Sequence, residues 1–462
     1  MKHIDEEKIN RLIQLPQCSR SEFDAIIEKS KNLQRLTTEE SAKLLAVKDK
    51  ELIDIIYSTA KYVKDTIYGK RVVLFVPLYI NNICVNECQY CSFCKNNKVT
   101  IRKKLTIDEI KEQTRILLER GHKRILMLSS ESANEDDDIE YFVKAIEAIY
   151  SVSVGKNKVK RINVNLAPLS VENFKKLKKA GIGTYQIFQE TYHEETYRKL
   201  HGKGPKSDPD NRLDAIDRAF KAGIDDIGIG PLYGLYDYKF ETLAMFEHIA
   251  YLEKEFGLGP HVVSVPRLEP AYGSEISQSK KYAFTDDEFK QMVAVIRLSV
   301  PYTGIIISTR ETAEMRNELL NLGVSQISAE SRVSPGGYER LDDHNAVKDV
   351  QFKLNDQRSI EEVIADLVAY GYMPSFCAAC YRRERTGKVF MSIAKPGNIK
   401  SKCDINALVT FKEYLEDFAA PEVKKHGYKL IEEKLAQMPE TDKNVVLKFF
   451  EDIDKGIRDE YV

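Results

Sequence analysis

Short apolar runs rich in β-branched residues recur from residue 71 onward, and amphipathic stretches separate them. Apolar residues at helical spacing fill these stretches, for example at 106–120 and 239–256. Eight strands alternating with helices predict a parallel (β/α)8 barrel, although a partly open barrel would give the same pattern. The eight runs lie at residues 72–80, 124–130, 161–167, 184–190, 226–232, 261–268, 302–310 and 326–331.

The segments that flank the barrel pattern have a different periodicity. Residues 1–70 carry apolar residues at helical spacing and predict a helical N-terminal extension. Residues 332–358 are polar, include Pro335-Gly336-Gly337 and predict a long loop, which more helices follow. We therefore expect three parts: an extension at 1–70, the barrel at 71–331 and a C-terminal helical domain at 332–462.

Charge and hydropathy narrow the class of protein. Lys and Arg total 70 and Asp and Glu total 71, so the net charge of −1 gives no case for binding nucleic acid or an anionic membrane. No apolar run is as long as a membrane span, and the N-terminus has no apolar segment of a signal peptide. A cytoplasmic protein that acts on a small molecule is expected.

A first cysteine group follows the first predicted strand. Cys84, Cys88 and Cys91 have the spacing C-x3-C-x2-C, with Tyr90 before the third cysteine. Three thiolates on one loop can bind three irons of a [4Fe–4S] cluster and leave the fourth iron open. An open iron is what S-adenosylmethionine (SAM) needs, because its methionine amine and carboxylate chelate that iron. A zinc site with one further ligand is the alternative, but the position after the first strand favours a radical-SAM barrel.

Cys94 is close enough in sequence to be a fourth ligand. A thiolate there would close the cluster and prevent SAM binding. A small buried residue is the other interpretation, and we favour it because the three-cysteine spacing is complete without Cys94.

Polar residues that end the predicted strands are candidates for binding SAM. In a parallel barrel the active site lies at the carboxyl ends of the strands. Each of these residues could instead cap the following helix. The cofactor-binding candidates are Glu131, Asn165 and Glu190, together with Tyr90 from the cysteine loop.

A second cysteine group lies in the C-terminal part. Cys377 and Cys380 form a CxxC pair, and Cys403 follows after 22 residues. A CxxC pair alone could be a redox pair or half a zinc site. Because a third cysteine accompanies the pair and a three-cysteine group is present elsewhere, we predict a second [4Fe–4S] cluster with one iron open to an external ligand.

Together the two cysteine groups resemble those of the HydG family, the radical-SAM maturases of [FeFe]-hydrogenase. The resemblance covers nearly the whole chain, and the C-terminal cysteine spacing separates it from the related tyrosine lyase ThiH (2-iminoacetate synthase), which lacks that extension. Other matching segments are at residues 164–167, 180–185, 188–193, 222–226, 232–239, 259–267, 300–304, 308–311 and 325–329.

The resemblance implies a function. Family members cleave the Cα–Cβ bond of L-tyrosine to p-cresol and dehydroglycine, and then form CO and cyanide on a labile fifth iron at the second cluster. It implies that Ser308 and Arg310 hold the tyrosine carboxylate and that His261 binds the fifth iron. An ordinary barrel histidine is the alternative for His261. An electron donor such as ferredoxin or flavodoxin and hydrogenase-maturation proteins are the implied partners.

This chain departs from the family pattern at several positions. Two further hypotheses follow: a HydG-like paralogue that acts on another amino acid, and a non-catalytic iron–sulfur carrier in which Cys94 completes the first site. A carboxylate at position 330 in particular could alter the cavity. The departures include Ser129, Ser130, Glu194, Pro231 and Glu330.

Overall fold

The computed structural model describes residues 1–340 and 348–462 and contains a closed barrel of eight parallel strands. Strand β1 pairs with β2 on one side and with β8 on the other, so the barrel is not partly open. The sequence prediction of a (β/α)8 barrel is confirmed. The strands are β1 (Arg71–Asn81), β2 (Arg124–Ser129), β3 (Arg161–Asn165), β4 (Tyr185–Gln186), β5 (Ile227–Ile229), β6 (Val262–Ser264), β7 (Gly304–Ile307) and β8 (Gln326–Ser328).

Helices surround the barrel, and their first residues explain where several of them begin. Five described helices start with a capping box, in which a Ser or Thr side chain and a Glu three residues later satisfy free backbone N–H groups. A short hairpin pairs Ser153–Val154 with Asn157–Lys158. The helices of the barrel are Ile107–Glu119, Glu135–Ser151, Val171–Lys179, Glu194–His201, Pro209–Leu213, Ala215–Lys221, Tyr238–Phe256, Asp286–Ser299 and Ala313–Leu320, with 3-10 turns at Pro205–Ser207, Ile276–Gln278 and Gly337–Glu339.

The N-terminal 70 residues form four helices, in agreement with the predicted helical extension. The first of them is Glu6–Ile13, whose Ile9 is fully buried. The other helices are Arg20–Lys31, Thr38–Leu45 and Lys50–Tyr68, and the last of them leads directly into β1.

The C-terminal part is mostly helical but also adds a strand to the barrel. Strand β9 (Met373–Ser375) pairs in parallel with the first residues of β1, with Arg71 opposite Met373 and Val73 opposite Ser375. Strand β9 was not predicted, because it is three residues long and contains Pro374, which is tolerated at a sheet edge. The helices are Ile360–Ala369, Ala379–Arg382, Gly387–Ala394, Lys400–Asp417, Pro421–Leu435 and Glu440–Asp454.

The predicted loop at 332–358 crosses the carboxyl ends of the strands. Apart from the 3-10 turn at Gly337–Glu339, its described residues form no helix or strand, and residues 341–347 of the prediction lie outside the described residues. Val333, Gln351 and Phe352 of this loop line the cavity beneath it. In the part of the chain that the structure describes, no helix is long and apolar enough to cross a membrane.

Candidate active site at the two ends of the barrel

A cavity of about 230 Å³ opens at the carboxyl ends of the barrel strands. The inner wall is apolar and includes Phe75, Leu126 and Ile306, which pack inside the barrel. An apolar wall keeps water out and strengthens any electrostatic interaction with a bound molecule. Nine predicted site residues line this one cavity: Cys84, Cys88, Tyr90, Cys91, Glu131, Asn165, Glu190, Ser308 and Arg310.

The first cysteine group forms a tripod on the loop after β1. The backbone N–H of Cys91 donates to the carbonyl of Cys88 at 3.2 Å, which folds the motif into a turn. N–H groups already point at the sulfurs: Phe93 N lies 3.4 Å from Cys91 Sγ, and Asn86 Nδ2 lies 3.7 Å from Cys84 Sγ. Such donors stabilise thiolates and the sulfides of a bound cluster, so these residues fit a [4Fe–4S] cluster.

Two thiols of the tripod, those of Cys88 and Cys91, are neutral when no metal is bound. Burial raises the pKa of Cys88 to about 12 and that of Cys91 to about 11. Cluster binding must therefore displace their protons.

Cys94 lies outside the tripod. Its backbone N–H donates to the carbonyl of Cys91 at 3.1 Å, and its carbonyl accepts from Arg102 at 2.6 Å. Cys94 does not line the cavity, whereas the other three cysteines do. This arrangement agrees with a three-cysteine site that has one open position.

Glu131 is tied to the cysteine loop. Its carboxylate accepts a hydrogen bond of 2.6 Å from Asn86 Nδ2, and its carbonyl accepts one of 3.1 Å from the N–H of Val85. Burial raises the pKa of Glu131. The end of β2 is therefore fixed to the tripod, and a carboxyl group faces the cavity beside it.

Glu190 occupies a strained backbone conformation at the end of β4. Its φ of +71° lies in the left-handed region, which is unusual for a residue other than glycine and often marks a functional position. Lys206 Nζ lies 2.6 Å from the Glu190 carboxylate, and Arg212 lies 3.5 Å from it. Burial opposes ionisation of Glu190, but these two cations outweigh it and lower the pKa.

Tyr90 is held by a buried chain of hydrogen bonds. Its hydroxyl lies 2.9 Å from His201 Nε2, and His201 Nδ1 lies 2.7 Å from the carbonyl of Tyr197. Burial lowers the pKa of His201 to about 3, so the neutral ring donates from Nδ1 and accepts the Tyr90 proton at Nε2. The tyrosine ring is therefore fixed between the second and third cysteines.

Arg310 brings a positive charge into the cavity. Its guanidinium stacks 3.3 Å from the centroid of Phe352 and donates to the carbonyl of Arg267 at 3.4 Å. Among residues 1–340 and 348–462 it makes no ion pair with a carboxylate. A planar guanidinium fork in an apolar cavity is suited to a carboxylate ligand, and Ser308 lies beside it with Oγ 3.4 Å from the Arg310 N–H.

Glu330 does not alter the cavity. Its carboxylate pairs with Arg120 at 2.7 Å and with His122 at 3.2 Å, on the outer side of the barrel. Glu194 binds the N-terminal amine and Arg198, and Pro231 is buried beside Glu190. Of the departures from the family pattern, Ser129 and Ser130 line the cavity, whereas Glu194, Pro231 and Glu330 do not.

The second cysteine group lies at the opposite end of the barrel. Arg71 and Arg124 are the first residues of β1 and β2; Arg71 donates to the Cys403 thiol, and Arg124 donates to the carbonyl of Cys377. Burial, together with the neighbouring thiols of Cys403 and Cys377, raises the pKa of Cys380 to about 12. The three cysteines are thus grouped at the amino ends of the strands.

These residues fit an anionic metal cluster. Nε of Arg71 and Nε of Arg124 are buried and have no hydrogen-bond partner in the described chain. Burial and the nearby Arg161 lower the pKa of Arg124. Unsatisfied cationic donors beside three thiols are suited to the thiolates and sulfides of an iron–sulfur cluster.

His261 lies at the same end of the barrel. Its ring centroid is 4.4 Å from that of Phe390, and Nδ1 is 4.0 Å from the Asp226 carboxylate. Burial lowers the pKa of His261 to about 4, so the imidazole is neutral and able to bind a metal. Arg161 holds Asp226 through a 2.6 Å ion pair.

Sequence reasoning missed several residues of the first site. Asn86 lies within the cysteine motif, and that position was the only signal for it. Lys206 and Arg212 come from segments without a strand, and Gln351 and Phe352 come from the polar loop. No periodic pattern could place these loops over the cavity.

Comparisons with known proteins agree with this architecture. A model of the radical SAM superfamily matches residues 78–249, and a model of the Biotin and Thiamin Synthesis associated domain matches residues 264–373. The 2-iminoacetate synthase of Escherichia coli K12 is 31% identical over 353 residues, which cover 76% of this chain and 89% of the relative. The fold and the cysteine tripod at the barrel mouth thus define a radical SAM enzyme.

Solved structures narrow the assignment. The crystal structure of HydG, a maturase of the [FeFe]-hydrogenase, is 45% identical, covers 100% of both chains and has a TM-score of 0.95. The HydG structure from Carboxydothermus hydrogenoformans is 41% identical, covers 96% of this chain and 97% of that one, and has a TM-score of 0.84. This chain belongs to the HydG family.

Proposed function

We propose that this chain cleaves the Cα–Cβ bond of L-tyrosine to p-cresol and dehydroglycine, and that it then forms CO and cyanide on iron for [FeFe]-hydrogenase maturation. The observation that carries the proposal is the pair of three-cysteine sites at opposite ends of one barrel. The first shares its cavity with Arg310, and the second is accompanied by His261.

The mouth residues would bind SAM beside the cysteine tripod. Cys84, Cys88 and Cys91 would hold a [4Fe–4S] cluster, which supplies the electron that cleaves the SAM sulfonium and yields a 5′-deoxyadenosyl radical. The carboxyl group of Glu131 lies next to the tripod, where it would accept from the methionine ammonium. Asn165, Glu190 and Tyr90 line the same cavity and would contact the rest of the cofactor.

Arg310 and Ser308 would hold the carboxylate of tyrosine. Arg310 has no carboxylate partner among the described residues, so an incoming carboxylate would complete its pairing. Its guanidinium is fixed by stacking on Phe352, which orients the fork before the substrate binds. The amine of tyrosine, from which hydrogen is abstracted, would then lie on the side of the cysteine tripod.

The second site would receive dehydroglycine. Cys377, Cys380 and Cys403 would hold a second [4Fe–4S] cluster, and His261 would bind a fifth iron on which CO and cyanide form. The unpaired Nε donors of Arg71 and Arg124 support an anionic group there. The role of the fifth iron is a proposal that rests on family membership.

The remaining parts of the proposal concern organisation and partners. We divide the chain into an extension at 1–70, the barrel at 71–331 and a C-terminal domain at 332–462 that carries the second cluster. A cytoplasmic location, an electron donor such as ferredoxin or flavodoxin, and hydrogenase-maturation proteins as partners complete it.

Product analysis tests the proposed function. Reconstituted protein is incubated without oxygen with SAM, dithionite and L-tyrosine, and 5′-deoxyadenosine, p-cresol and cyanide are measured. We expect all three products, and omission of tyrosine should remove p-cresol and cyanide. SAM cleavage without p-cresol from tyrosine would contradict the proposal and favour a paralogue that acts on another amino acid.

A further inference from the structure

Four exposed apolar side chains lie together beside the first cysteine site. They are four of the ten large apolar residues that are exposed among the described residues. Single exposed apolar residues are common, but a group of them indicates an interaction surface. The group consists of Ile83, Val99, Ile101 and Tyr272, which are 48%, 46%, 60% and 46% exposed.

Hydrogen bonds join these residues into one surface. Asn82, next to Ile83, donates from Nδ2 to the carbonyl of Ile101 at 2.9 Å. Asn97 donates from Nδ2 to the carbonyl of Tyr272 at 2.6 Å. These bonds hold the segments that carry Ile83, Ile101 and Tyr272 next to one another, and Val99 lies two residues before Ile101.

The segment that carries Ile83, Val99 and Ile101 is rich in lysine. Residues 83–104 contain five basic residues and one acidic residue, a net charge of +4, although the whole chain has a net charge of −1. Lys95, Lys98 and Lys104 are exposed, and no carboxylate among the described residues lies within ion-pair distance of them. We call the four apolar residues with these three lysines the Ile101 surface.

The Ile101 surface adjoins the cysteine tripod. Ile83 directly precedes Cys84, and Lys95 comes four residues after Cys91. The backbone N–H of Lys95 donates to the carbonyl of Asn86 at 2.8 Å, which keeps this lysine against the cysteine loop. A protein that docks here would therefore contact the same loop that carries the three cysteines.

We propose that the Ile101 surface is the docking site of a small acidic one-electron carrier protein, which reduces the first cluster. This inference rests on the proposed function, because it assumes that the tripod holds a cluster. The reduced carrier loses one electron and the cluster gains it; that electron then breaks the sulfonium C–S bond of SAM, which gives methionine and the 5′-deoxyadenosyl radical.

Charge decides between this occupant and a second copy of the chain. A second copy would bring an equally basic surface into contact, and the two surfaces would repel each other. An acidic carrier would be attracted by the lysines, and a small apolar centre is sufficient for the small interfaces of transient electron-transfer complexes.

Charge reversal tests the proposal with an acidic flavodoxin as the probe. Lys95→Glu/Lys98→Glu should raise the KM for reduced flavodoxin in SAM cleavage by about tenfold at low ionic strength, because steering is lost. The dithionite-driven rate should stay within about twofold of wild type, because a small reductant needs no docking surface. Lys156→Glu/Lys158→Glu, on the hairpin before β3 at the other end of the barrel, makes the same charge change and should leave both rates unaltered.

A binding measurement separates docking from catalysis. Calorimetry with oxidised flavodoxin should show weaker binding for Lys95→Glu/Lys98→Glu and for Ile101→Ser, and wild-type binding should weaken as the ionic strength rises from about 0.01 to 0.15 M. Wild-type affinity in the lysine and Ile101 variants would overturn the proposal. A wild-type dimer that Ile101→Ser dissociates would overturn it as well, since it would assign the surface to a second copy. If dithionite drives no SAM cleavage in the wild type while flavodoxin binds as expected, the proposed function fails and the docking surface stands.

Discussion

The two ends of the barrel present the same number of cysteines in opposite surroundings. The mouth tripod faces a cavity of about 230 Å³ with room for small molecules. A pocket of about 10 Å³, roughly one water, lies against Cys377 at the other end. Arginines at the first positions of β1, β2 and β3 lie at this second end. The mouth instead combines acidic residues, a few separate cations and an apolar wall. Three thiolates are therefore not sufficient to define a site's chemistry; the residues around them decide it.

Loss of a mouth cysteine should have the largest effect and should leave the other end intact. Cys88→Ala removes one of three ligands, so SAM cleavage should fall to background, which exceeds the roughly 10- to 100-fold loss typical of an outer-sphere change. Electron paramagnetic resonance should lose the SAM-responsive signal and retain that of the second cluster.

Cys94→Ala is the matched control for Cys88→Ala. Because Cys94 does not line the cavity, SAM cleavage and the SAM-responsive signal should both remain. Loss of the first cluster in Cys94→Ala would mean that four cysteines close the site, and the carrier hypothesis would replace the enzyme.

Loss of a cysteine at the second end should abolish the second half of the reaction and leave the first half intact. Cys403→Ala should keep SAM cleavage and p-cresol formation near wild-type rates, while cyanide and CO fall to background. Cys403 is buried beside Arg71, so the variant loses one of the three thiol ligands of the second site. Cyanide by derivatisation and CO by binding to deoxyhaemoglobin are the measurements, and Cys18→Ala, far in sequence from both groups, is the control. Undiminished cyanide from Cys403→Ala would contradict the division of labour.

The two ends were not equally predictable from sequence. The mouth tripod and its strand-end residues follow from local rules, because the barrel alternation fixes where each strand ends and parallel strands bring those ends together. These rules predicted Cys84, Glu131, Asn165 and Glu190 as residues of one site, and the family resemblance added Ser308 and Arg310; all six line the cavity. The segments over that cavity depend on tertiary packing: Lys206 lies in a 3-10 turn, Arg212 in the short helix Pro209–Leu213 and Gln351 in the long loop.

At the second end, the position of the cysteine group depends on the sheet topology and could not be predicted from the cysteine spacing. The cysteine spacing predicted a metal site but not its position. That position follows from strand β9, which pairs with the start of β1 just before Cys377. Strand β9 was not recognisable in the sequence because it contains Pro374. For Glu330, the prediction from its sequence position was wrong. Its position after β8 suggested a cavity residue, yet its positive φ of +52° turns the side chain toward Arg120 and His122 on the outside.

Arg310 tests whether the mouth cation acts on the substrate or on the cluster. Arg310→Lys keeps the charge but loses the planar fork, so kcat/KM for tyrosine should fall by roughly 10- to 100-fold, the value of one or two charge-assisted hydrogen bonds. SAM cleavage in the absence of tyrosine should be unaltered. Arg115→Lys, on an exposed helix face with Glu112 and Glu119, is the control and should behave as wild type. Equal losses with and without tyrosine would assign Arg310 to the cofactor instead.

The smallest expected effect concerns two buried carboxylates, one near each end. Asp226, at the strand starts, keeps its charge because the ion pair with Arg161 and the hydrogen bond from Thr184 outweigh the cost of burial and lower its pKa. Glu241 supports the loop after Glu190 by accepting from the N–H of Tyr192 at 2.8 Å, but no cation among residues 1–340 and 348–462 pairs with it, and burial raises its pKa to about 8. Only Glu241 should therefore titrate between pH 6 and 9.

The sign of this effect follows from proton binding. An acid whose pKa is raised by folding holds its proton more tightly in the native state, so its contribution to stability is complete below its unfolded pKa and is lost as the pH rises through about 8. Wild-type Tm should therefore fall from pH 6 to 9. Glu241→Gln should lessen that slope, because the amide oxygen still accepts from Tyr192 without becoming charged. Equal slopes in wild type and Glu241→Gln would show that Glu241 is already ionised at neutral pH, and that the mouth, like the opposite end, compensates its buried charge.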